Sequence, residues 1–364
     1  MNLVIFGLTV SSSWGNGHAT LWRGLIKALA RRGHRIVFFE RDTPYYAAHR
    51  DLYELDGGEL VLYPEWSDVQ NRARRELMSA DVGMVTSYCP DSRLACDAVL
   101  SSPARVRCFY DLDTGVTIDR LRAGLQVDYL PEDGLGAFDL VLSYTGGEAL
   151  VELKMLLGAR HVAPLYGSVD PESHRPAKPE DRFRAELSYL GTYSADRQNA
   201  LETLFLEPAR RRPELRFLIG GSQYPADFPW SSNIFFVPHV PPSEHPAFYS
   251  SSRIALSVTR APMARMGYCP SGRLFEAAAC GVPILSDEWE GLEYFFEPGR
   301  EILLARTTGH VLDALAMPPE KLALIARAGR ERVLGAHTAA RRAIEMENIL
   351  EAAVSLPVET AGGA

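Results

Sequence analysis

Three features are scarce in this sequence of 364 residues: cysteine, positive charge and long apolar runs. The five cysteines, Cys89, Cys96, Cys108, Cys269 and Cys280, form no CxxC pair and no Cys/His spacing typical of a metal site. Their low density and odd number argue against a disulfide framework. We therefore expect buried, reduced thiols and a protein of the cytoplasm.

The charge balance is acidic, with 46 acidic and 38 basic residues, a net charge of −8 and a pI of about 5.7. Proteins that neutralise many phosphates carry a basic excess, so we expect no nucleic-acid partner. A small anionic ligand is compatible with this balance, because a few arginines suffice to bind one.

Apolar segments are short. None reaches the ~18 residues that a membrane span needs. The opening NLVIFGLTV is apolar, but it lacks the basic lead-in of a signal peptide. We therefore interpret it as the first strand of a globular protein and expect no membrane span.

Short apolar runs alternate with helical segments in both halves of the chain. In the first half we expect strands at 3–6, 35–39, 59–62, 81–86, 105–110 and 138–142. In the second half we expect strands at 187–190, 216–219, 234–237, 254–258, 283–286 and 302–305. Apolar strands separated by helices predict parallel sheets covered on both faces. The fold class is therefore α/β, with two Rossmann-like, doubly wound domains.

A polar, proline-rich segment at 166–181 separates the two halves and is the expected linker. We predict a first domain over residues 1–168 and a second over 169–340. Residues 341–364 are expected to form a C-terminal helix, which could pack back on the first domain, and a disordered tail after Leu356. Ligands of parallel sheets bind beyond the carboxyl ends of the strands, so the cleft between the domains is the expected site.

The segment SSSWGNGHAT at 11–20 lies between the first strand and the first helix. Gly15 and Gly17 let the backbone approach a ligand closely. His18 stands at the helix start, where the helix dipole favours its neutral form, so it is our candidate general base for an acceptor hydroxyl. The alternative is that His18 only hydrogen-bonds the loop.

The same segment also resembles a dinucleotide-binding fingerprint, and Glu40 ends the second strand, where a ribose-binding acid would lie. Two features argue against binding of NAD or FAD. The third glycine position holds Thr20, and the glycines lie about eight residues beyond the strand instead of directly at its end.

A second motif, YCPSGRLFEAAACGVP, runs over 268–283 from a loop through a helix to a strand. Ser271 and Gly272 lie at a helix N-terminus whose free amides could bind a phosphate. The guanidinium group of Arg273 could bind the same phosphate through two N–H groups. Glu276 follows one turn later, where its carboxylate could accept both hydroxyls of a ribose. A plain surface glutamate is the alternative, although its apolar neighbours argue against it.

These stretches resemble a known family. The second half is similar to the carboxyl-terminal domain of GT-B glycosyltransferases, in particular the CgeB-like, spore-maturation-type group related to family 4. The matching segments include RLFEAAACGVPILSDEWEGLEYFFEPGREILLA, YLGTY, FLIGG and FVPHV, with WGNGHATLWRGLIKALARRGHRIVFFERD and DLDT in the first half. The resemblance covers roughly residues 1–340 and implies two domains facing a cleft, with the acceptor mainly on the first.

The resemblance also implies roles for individual residues. Glu276 would hold the donor ribose, and the N-terminus of its helix would bind the diphosphate without a metal ion or another cofactor. His239 and Val240 match the segment beside the nucleobase, and Glu293 matches a turn near the donor. The predicted donor-binding residues are Gly15, Gly17, Tyr193, His239, Val240, Arg260, Ser271, Gly272, Arg273, Glu276 and Glu293.

The sequence departs from the family pattern at two places. Family 4 enzymes carry a glutamate eight residues before the ribose-binding one, and this chain has Tyr268 there. That difference puts the donor sugar and the retaining outcome in doubt. The usual Arg/Lys pair after the first strand of the second domain is also missing, so we predict that Arg260, or else Arg265, faces the diphosphate.

The segment from Asp111 to Asp113 directly follows a strand of the first domain. A pair of carboxylates can bind a divalent metal ion that carries a diphosphate. In the GT-B family that the sequence resembles, arginines and helix dipoles bind the phosphates, so no metal ion is needed. Asp113 could instead orient an acceptor hydroxyl or His18, or simply cap the next helix. We take His18 and Asp113 as the candidate catalytic pair and predict no metal site.

The sequence thus predicts a metal-independent glycosyltransferase that uses a nucleoside-diphosphate sugar and an unidentified acceptor. Two alternatives stay open: a catalytically degenerate partner protein that binds a nucleotide-sugar, and a nucleotide-sugar epimerase of the same fold. A dinucleotide oxidoreductase would leave Arg273 and Glu276 unexplained.

Overall fold

The computed structural model describes residues 1–355. The tail that we predict to be disordered, after Leu356, lies outside the described residues. Within them the chain forms two parallel sheets, each covered by helices on both faces, as the alternating pattern predicts.

The first domain is built on a seven-stranded sheet. Its strands are β1 (Asn2–Gly7), β2 (Arg35–Arg41), β3 (Glu59–Tyr63), β4 (Val82–Thr86), β5 (Val106–Asp111), β6 (Leu140–Ser143) and β7 (Val162–Pro164). They lie in the order β3-β2-β1-β4-β5-β6-β7, and every neighbouring pair is parallel. All six strands predicted for this half are present. The sequence missed β7, because it has three partly buried residues and ends in proline.

Helices cover both faces of this sheet. They are α1 (His18–Arg31), α2 (Pro44–Ala47), α3 (Trp66–Met78), α4 (Ser92–Leu100), α5 (Thr114–Arg122) and α6 (Glu148–Leu157). The central strands β1 and β4 are buried almost throughout. Burial on both faces explains why these strands are continuous apolar runs and lack an alternating pattern.

The second domain holds a six-stranded parallel sheet. Its strands are β8 (Ala185–Leu190), β9 (Phe217–Gly220), β10 (Ile234–Val237), β11 (Ser252–Ser257), β12 (Ile284–Ser286) and β13 (Leu303–Leu304), in the order β10-β9-β8-β11-β12-β13. The predicted strands of this half all appear, with ends that differ by at most two residues from those predicted.

The helices of the second half complete the domain. They are α7 (Gln198–Leu201), which continues through a π-helical turn into α8 (Glu207–Arg211), then α9 (His245–Ser250), α10 (Ala261–Met266), α11 (Gly272–Ala279), α12 (Leu292–Phe295), α13 (Thr308–Leu315), α14 (Pro319–Ala336) and α15 (Ala339–Val354). The sequence analysis did not identify α10, α12 or α13, which have eight residues or fewer.

The chain passes between the domains at two adjacent places. Val169, after β7, pairs with Thr338, and the amide of Ala339 donates to the Val169 carbonyl at 2.8 Å. From there α15 returns to the first domain. Its buried residues Met346 and Leu350 join the core that contains α1. The outgoing and returning segments therefore lie side by side.

Two further expectations concern the whole chain. The five cysteines are all buried and unpaired, as expected for reduced thiols. Among residues 1–355, no helix combines the length and the apolarity needed to cross a lipid bilayer.

Candidate active site

A cleft of about 520 Å³ lies between the two domains. Its walls include the segments that follow β1, β4, β5, β6 and β7 of the first sheet and β8, β9, β10 and β11 of the second, together with the N-terminus of α11. Both sheets thus direct the carboxyl ends of their strands into one space, which is where parallel sheets bind ligands.

Nearly all the predicted site residues line this cleft. They are Gly15, Gly17, His18, Asp113, Tyr193, His239, Val240, Arg260, Ser271, Gly272, Arg273 and Glu276. Glu293 is not among the lining residues, because it lies on the exposed face of α12. The resemblance placed Glu293 near the donor, and this geometry gives it no such contact. The roles predicted for the lining residues stay predictions.

The loop after β1 is organised by Glu40, which is fully buried at the end of β2. Its carboxylate accepts hydrogen bonds from the Thr9 hydroxyl (2.6 Å) and from the backbone amides of Val10 (2.8 Å) and Ser11 (3.0 Å). Glu40 is therefore committed to holding the loop that carries Gly15 and Gly17. It is not a free acid for a dinucleotide ribose.

His18 is the first residue of α1 and faces the cleft. Its Nε2 lies 3.9 Å from Oδ2 of Asp113, and its buried Nδ1 has no hydrogen-bond partner among the described residues. Burial lowers the pKa of His18, and Arg260 lowers it further, against an opposing effect of Asp113. The imidazole is therefore neutral at neutral pH and able to accept a proton.

Asp113 occupies the N-cap position of α5, yet its side chain makes no capping hydrogen bond. Its Oδ2 accepts a hydrogen bond from the Tyr88 hydroxyl at 3.0 Å and lies 3.7 Å from Nη1 of Arg260. The carboxylate is thus held between a first-domain tyrosine, a first-domain histidine and a second-domain arginine. This arrangement suits orientation of His18 or of an acceptor better than helix capping.

Tyr88 is a cleft residue that the sequence analysis missed. It follows β4 and has a backbone φ of 63°, which is uncommon for a residue other than glycine. Burial raises the pKa of its hydroxyl, which therefore stays a hydrogen-bond donor to Asp113. A polar residue just beyond a predicted strand was the only sequence signal for it.

The two candidate arginines lie in different surroundings. Arg260 lines the cleft, and its Nε donates to Oδ2 of Asp196 at 2.9 Å. Arg265 lies on exposed surface, paired with Asp119, and is not among the lining residues. Arg260 is therefore the better placed of the two to meet a diphosphate.

The N-terminus of α11 opens directly into the cleft at Ser271 and Gly272. Its first amides have no partner one turn earlier in the helix, so they are available to an anion. Arg273 is more constrained, because its Nε donates to the Leu190 carbonyl and its Nη1 to that of Val258 at 3.4 Å. It ties α11 to the ends of two strands while still lining the cleft.

Glu276 lies one turn further along α11, at the floor of the cleft. Its carboxylate accepts a hydrogen bond from the Thr20 hydroxyl of α1 at 3.0 Å. Burial would raise the pKa of this carboxyl, but His174, His245, Thr20 and Arg273 outweigh burial and lower it. Glu276 is therefore an ionised acceptor that faces both domains.

Two histidines beside Glu276 also escaped the sequence analysis. His174 Nε2 lies 4.0 Å from Oε1 of Glu276, and His245 Nδ1 lies 3.8 Å from Oε2. Neither histidine is near Glu276 in sequence, and neither belongs to a motif. Only the folded chain brings them together.

Tyr268, which replaces the family glutamate, is not among the residues that line the cleft. Its φ is 45°, and its ring packs so closely on Gly147 and Gly291 that a Cβ at those glycines would lie 2.9 Å and 2.6 Å from ring carbons. Its carbonyl accepts a hydrogen bond from the Gly146 amide at 3.0 Å. An aromatic contact between the domains therefore occupies this position.

We expect Tyr268→Ala to lower the stability of the protein by about 1–3 kcal/mol, because it removes a ring packed between two domains. Tyr294→Ala is the matched control, since the neighbouring Tyr294 side chain is 64% exposed. Calorimetric melting of both variants measures the difference. Equal melting temperatures would show that the Tyr268 ring contributes no interdomain packing energy.

Asp111 provides a prediction about stability and pH. It is fully buried, its Oδ2 has no hydrogen-bond partner among the described residues, and burial raises its pKa to about 6. A folded pKa above the unfolded value means that stability is lost as pH rises through about 6, where the buried group ionises. Asp111→Asn should therefore stabilise the protein by about 1–3 kcal/mol near pH 8 and by about half as much near pH 5, because the unfolded carboxyl already ionises above about pH 4.

Chemical denaturation at both pH values tests this expectation for Asp111. Asp133→Asn, at an exposed position, is the control and should change stability little at either pH. A stabilisation by Asp111→Asn that is the same at the two pH values would contradict the raised pKa.

Comparisons with known proteins agree with this architecture. Residues 197–348, which span most of the second domain, match a family described as "Glycosyl transferase-like". None of the curated proteins compared with the chain matches it. Solved structures match over nearly the whole chain, at low sequence identity.

Three of these structures are representative. Sucrose-phosphate synthase from Thermosynechococcus elongatus has a TM-score of 0.69 at 13% identity, covering 97% of this chain and 98% of that one. Anabaena HepE in complex with UDP and glucose has a TM-score of 0.67 at 11% identity, with coverage of 97% and 100%. The catalytic domain of starch synthase IV from Arabidopsis thaliana, bound to ADP and acarbose, has a TM-score of 0.65 at 13% identity, with coverage of 98% and 99%. The fold of this chain is therefore GT-B.

Proposed function

We propose that this protein is a glycosyltransferase that moves a sugar from a nucleoside-diphosphate sugar to a hydroxyl or amine acceptor bound on the first domain, without a metal ion. The observation that carries the proposal is Glu276. It is an ionised carboxylate whose side chain is only 12% exposed, one turn inside a helix whose N-terminus opens into the interdomain cleft. Two of the structures with the same fold are complexes with UDP and with ADP, respectively.

The donor would bind mainly to the second domain. Glu276 would accept the two ribose hydroxyls, in place of its present bond to Thr20. The diphosphate would lie at the first amides of α11, beside Arg260 and Arg273, where the helix dipole and two guanidinium groups stabilise negative charge. Residues His239 and Val240 line the part of the cleft assigned to the nucleobase.

The reaction would join an acceptor oxygen to the anomeric carbon while the bond from that carbon to the diphosphate oxygen breaks. The leaving diphosphate keeps the electron pair of the broken bond, and its growing charge is stabilised at α11. In an inverting reaction the proton of the acceptor hydroxyl would pass to the unprotonated ring nitrogen of His18, whose Nε2 lies 3.9 Å from Asp113. In a retaining reaction His18 would instead contact the donor sugar.

Metal independence is part of the proposal, because helix amides and arginines already provide positive charge for the leaving group. The test incubates the purified protein with UDP-, GDP-, ADP-, CDP- and dTDP-sugars and follows release of the nucleoside diphosphate, with and without EDTA. We expect release with one donor, accelerated by the acceptor and unaffected by EDTA. Loss of activity with EDTA would contradict metal independence.

The same assay separates the two alternatives. Tyr268 at the family glutamate position is the observation that keeps a degenerate partner protein under consideration. Such a protein would bind a nucleotide-sugar without turnover. An epimerase would change the donor sugar with no acceptor present, which NMR of the sugar detects.

The pH dependence of turnover follows from the lowered pKa of His18. A base must be unprotonated, so activity should be constant at neutral pH and should fall only below the ordinary histidine range near 6.5. A profile of kcat/KM against pH measures this fall in activity at acid pH. A midpoint at or above 6.5 that disappears in His18→Gln would contradict the lowered pKa.

A further inference from the structure

Three side chains that are distant in sequence converge on the donor side of the cleft. His174 belongs to the segment that joins the two domains, His245 begins α9, and Glu276 lies in α11. Their ligand atoms lie within 4.8 Å of one another, and their side chains are 4%, 11% and 12% exposed, respectively. Two imidazoles and one carboxylate form a ligand set that Zn²⁺ takes in proteins.

The separations between these atoms suit one tetrahedral ion. Ligand atoms about 2.0–2.1 Å from a zinc ion lie roughly 3.3 Å from one another. His174 Nε2 lies 3.2 Å from His245 Nδ1 and 4.0 Å from Oε1 of Glu276, and His245 Nδ1 lies 3.8 Å from Oε2. The two nitrogens are already at the required separation. A rotation of the Glu276 side chain that brings its oxygens closer by roughly 0.5–0.7 Å would complete the set.

Hydrogen bonds behind the cluster prepare two of the three ligands for an ion. His245 Nε2 lies 3.1 Å from the Val240 carbonyl, which can only accept, so the hydrogen is on Nε2 and Nδ1 presents a lone pair to the cluster. Oε1 of Glu276 accepts a hydrogen bond from the Thr20 hydroxyl at 3.0 Å. Histidines and carboxylates that bind metal ions characteristically have such second partners.

His174 is the third ligand. Without a bound ion, its Nε2 donates a hydrogen to Nδ1 of His245. An ion bound by both nitrogens takes the place of this hydrogen, which moves to Nδ1 of His174, so both rings stay neutral. Nδ1 of His174 has no hydrogen-bond partner among the described residues, so the exchange breaks no other hydrogen bond there.

The cluster can be reached from the cleft, because His245 and Glu276 are among the lining residues. An ion would enter from this side, where a water molecule would complete its coordination. The cation nearby is Arg273, whose guanidinium donates to the carbonyls of Leu190 and Val258. The Glu276 carboxylate therefore offers its negative charge to the cluster without a direct ion pair to that arginine.

We propose that His174, His245 and Glu276 form a Zn²⁺ site, and that a bound ion blocks the donor site by occupying the carboxylate that would receive the ribose hydroxyls. The ion would act as an inhibitor, so turnover itself stays independent of metal. The sequence did not reveal this site, because His174 and His245 are 71 residues apart and share no motif. The inhibition rests on the proposed function, whereas binding of the ion does not.

Equilibrium dialysis of EDTA-treated, full-length protein against Zn²⁺ measures the binding. We expect one ion per chain in wild type. His174→Gln and His245→Gln should each bind it roughly 100-fold more weakly, because each loses one of three protein ligands. His18→Gln is the matched control, since His18 and Asp113 form another histidine–carboxylate pair in the cleft, 3.9 Å apart. It should bind zinc like wild type.

Donor turnover with and without Zn²⁺ tests the consequence. At free zinc ten times its dissociation constant, wild-type turnover at subsaturating donor should fall about tenfold, and turnover of His174→Gln should not fall. The donor binds the same amount of zinc in solution in both assays, so only the site distinguishes the two proteins. Equal inhibition of wild type and His174→Gln would contradict the block of the donor site.

The zinc site itself is overturned if wild type binds no ion, or if wild type and the two histidine variants bind zinc equally. The variants report independently, so misfolding of one leaves the other as the test. If wild type turns over a donor but binds no zinc, the proposed function stands and the zinc site is rejected. If wild type binds one ion that both variants lose, yet binds no nucleoside diphosphate, the zinc site stands and the proposed function is rejected together with the inhibition.

Discussion

Replacing Glu276 by alanine is expected to weaken binding of the nucleoside diphosphate by about 100-fold. The carboxylate would accept two ribose hydroxyls, and each hydrogen bond to a charged group contributes about 1.5–3 kcal/mol in favourable geometry. Loss of some 3 kcal/mol corresponds to roughly two orders of magnitude in the dissociation constant. The chemical step should be affected less, because the ribose contact is made in the ground state and in the transition state alike.

Titration calorimetry with wild type, Glu276→Ala and Glu276→Gln measures this effect. Glu293→Ala is the matched control: the resemblance assigned Glu293 to the donor as well, but its side chain lies on exposed surface outside the cleft-lining residues. We expect Glu293→Ala to bind like wild type. Comparable losses in the Glu276 and Glu293 variants, or none in either, would contradict the assignment of the ribose site.

His18→Ala is expected to lower kcat by a factor of about 10² to 10⁴, the usual contribution of a positioned general base. The affinity for the nucleoside diphosphate should change little, because in the proposed reaction His18 takes its proton from the acceptor. His18 is neutral and lies 3.9 Å from Asp113, which is held by Tyr88. Asp113→Asn should therefore lower kcat as well, but less than His18→Ala does.

Steady-state kinetics with saturating donor test this prediction, with His161→Ala as a control at a histidine that is not among the cleft-lining residues. Wild-type turnover in His18→Ala would rule out a role as base. A variant with unchanged kcat and a raised KM for the donor sugar would instead favour the retaining reaction, in which His18 contacts that sugar.

The sheets could be predicted from the sequence because strands buried on both faces are continuous apolar runs. β1, β4 and β11 are of this kind, and their positions were predicted to within two residues. The short elements could not be predicted. β7 has three residues, and α10 has six with a proline in its first turn, so neither gives a periodic signal.

The residues of the candidate site likewise fall into those that the sequence predicts and those that it does not. Residues carried by a local motif, such as Ser271, Gly272 and Glu276, were found because one helix N-terminus presents them together. Tyr88 and His174 were missed, because contacts across long sequence separations bring them beside Asp113 and Glu276. Glu293 also belongs to a matching motif, but it lies on the exposed face of α12 and is not among the residues that line the cleft.

The most direct test of the central claim is a thermal-shift measurement on wild type with UDP, GDP, ADP, CDP, dTDP and NAD, each over a range of concentrations. A ligand at 100 times its dissociation constant adds about 2.7 kcal/mol of stability, which is a shift of several degrees for a chain of this size. The account predicts such a shift with at least one nucleoside diphosphate and none with NAD. A shift with NAD alone, or with none of the six compounds, would contradict it.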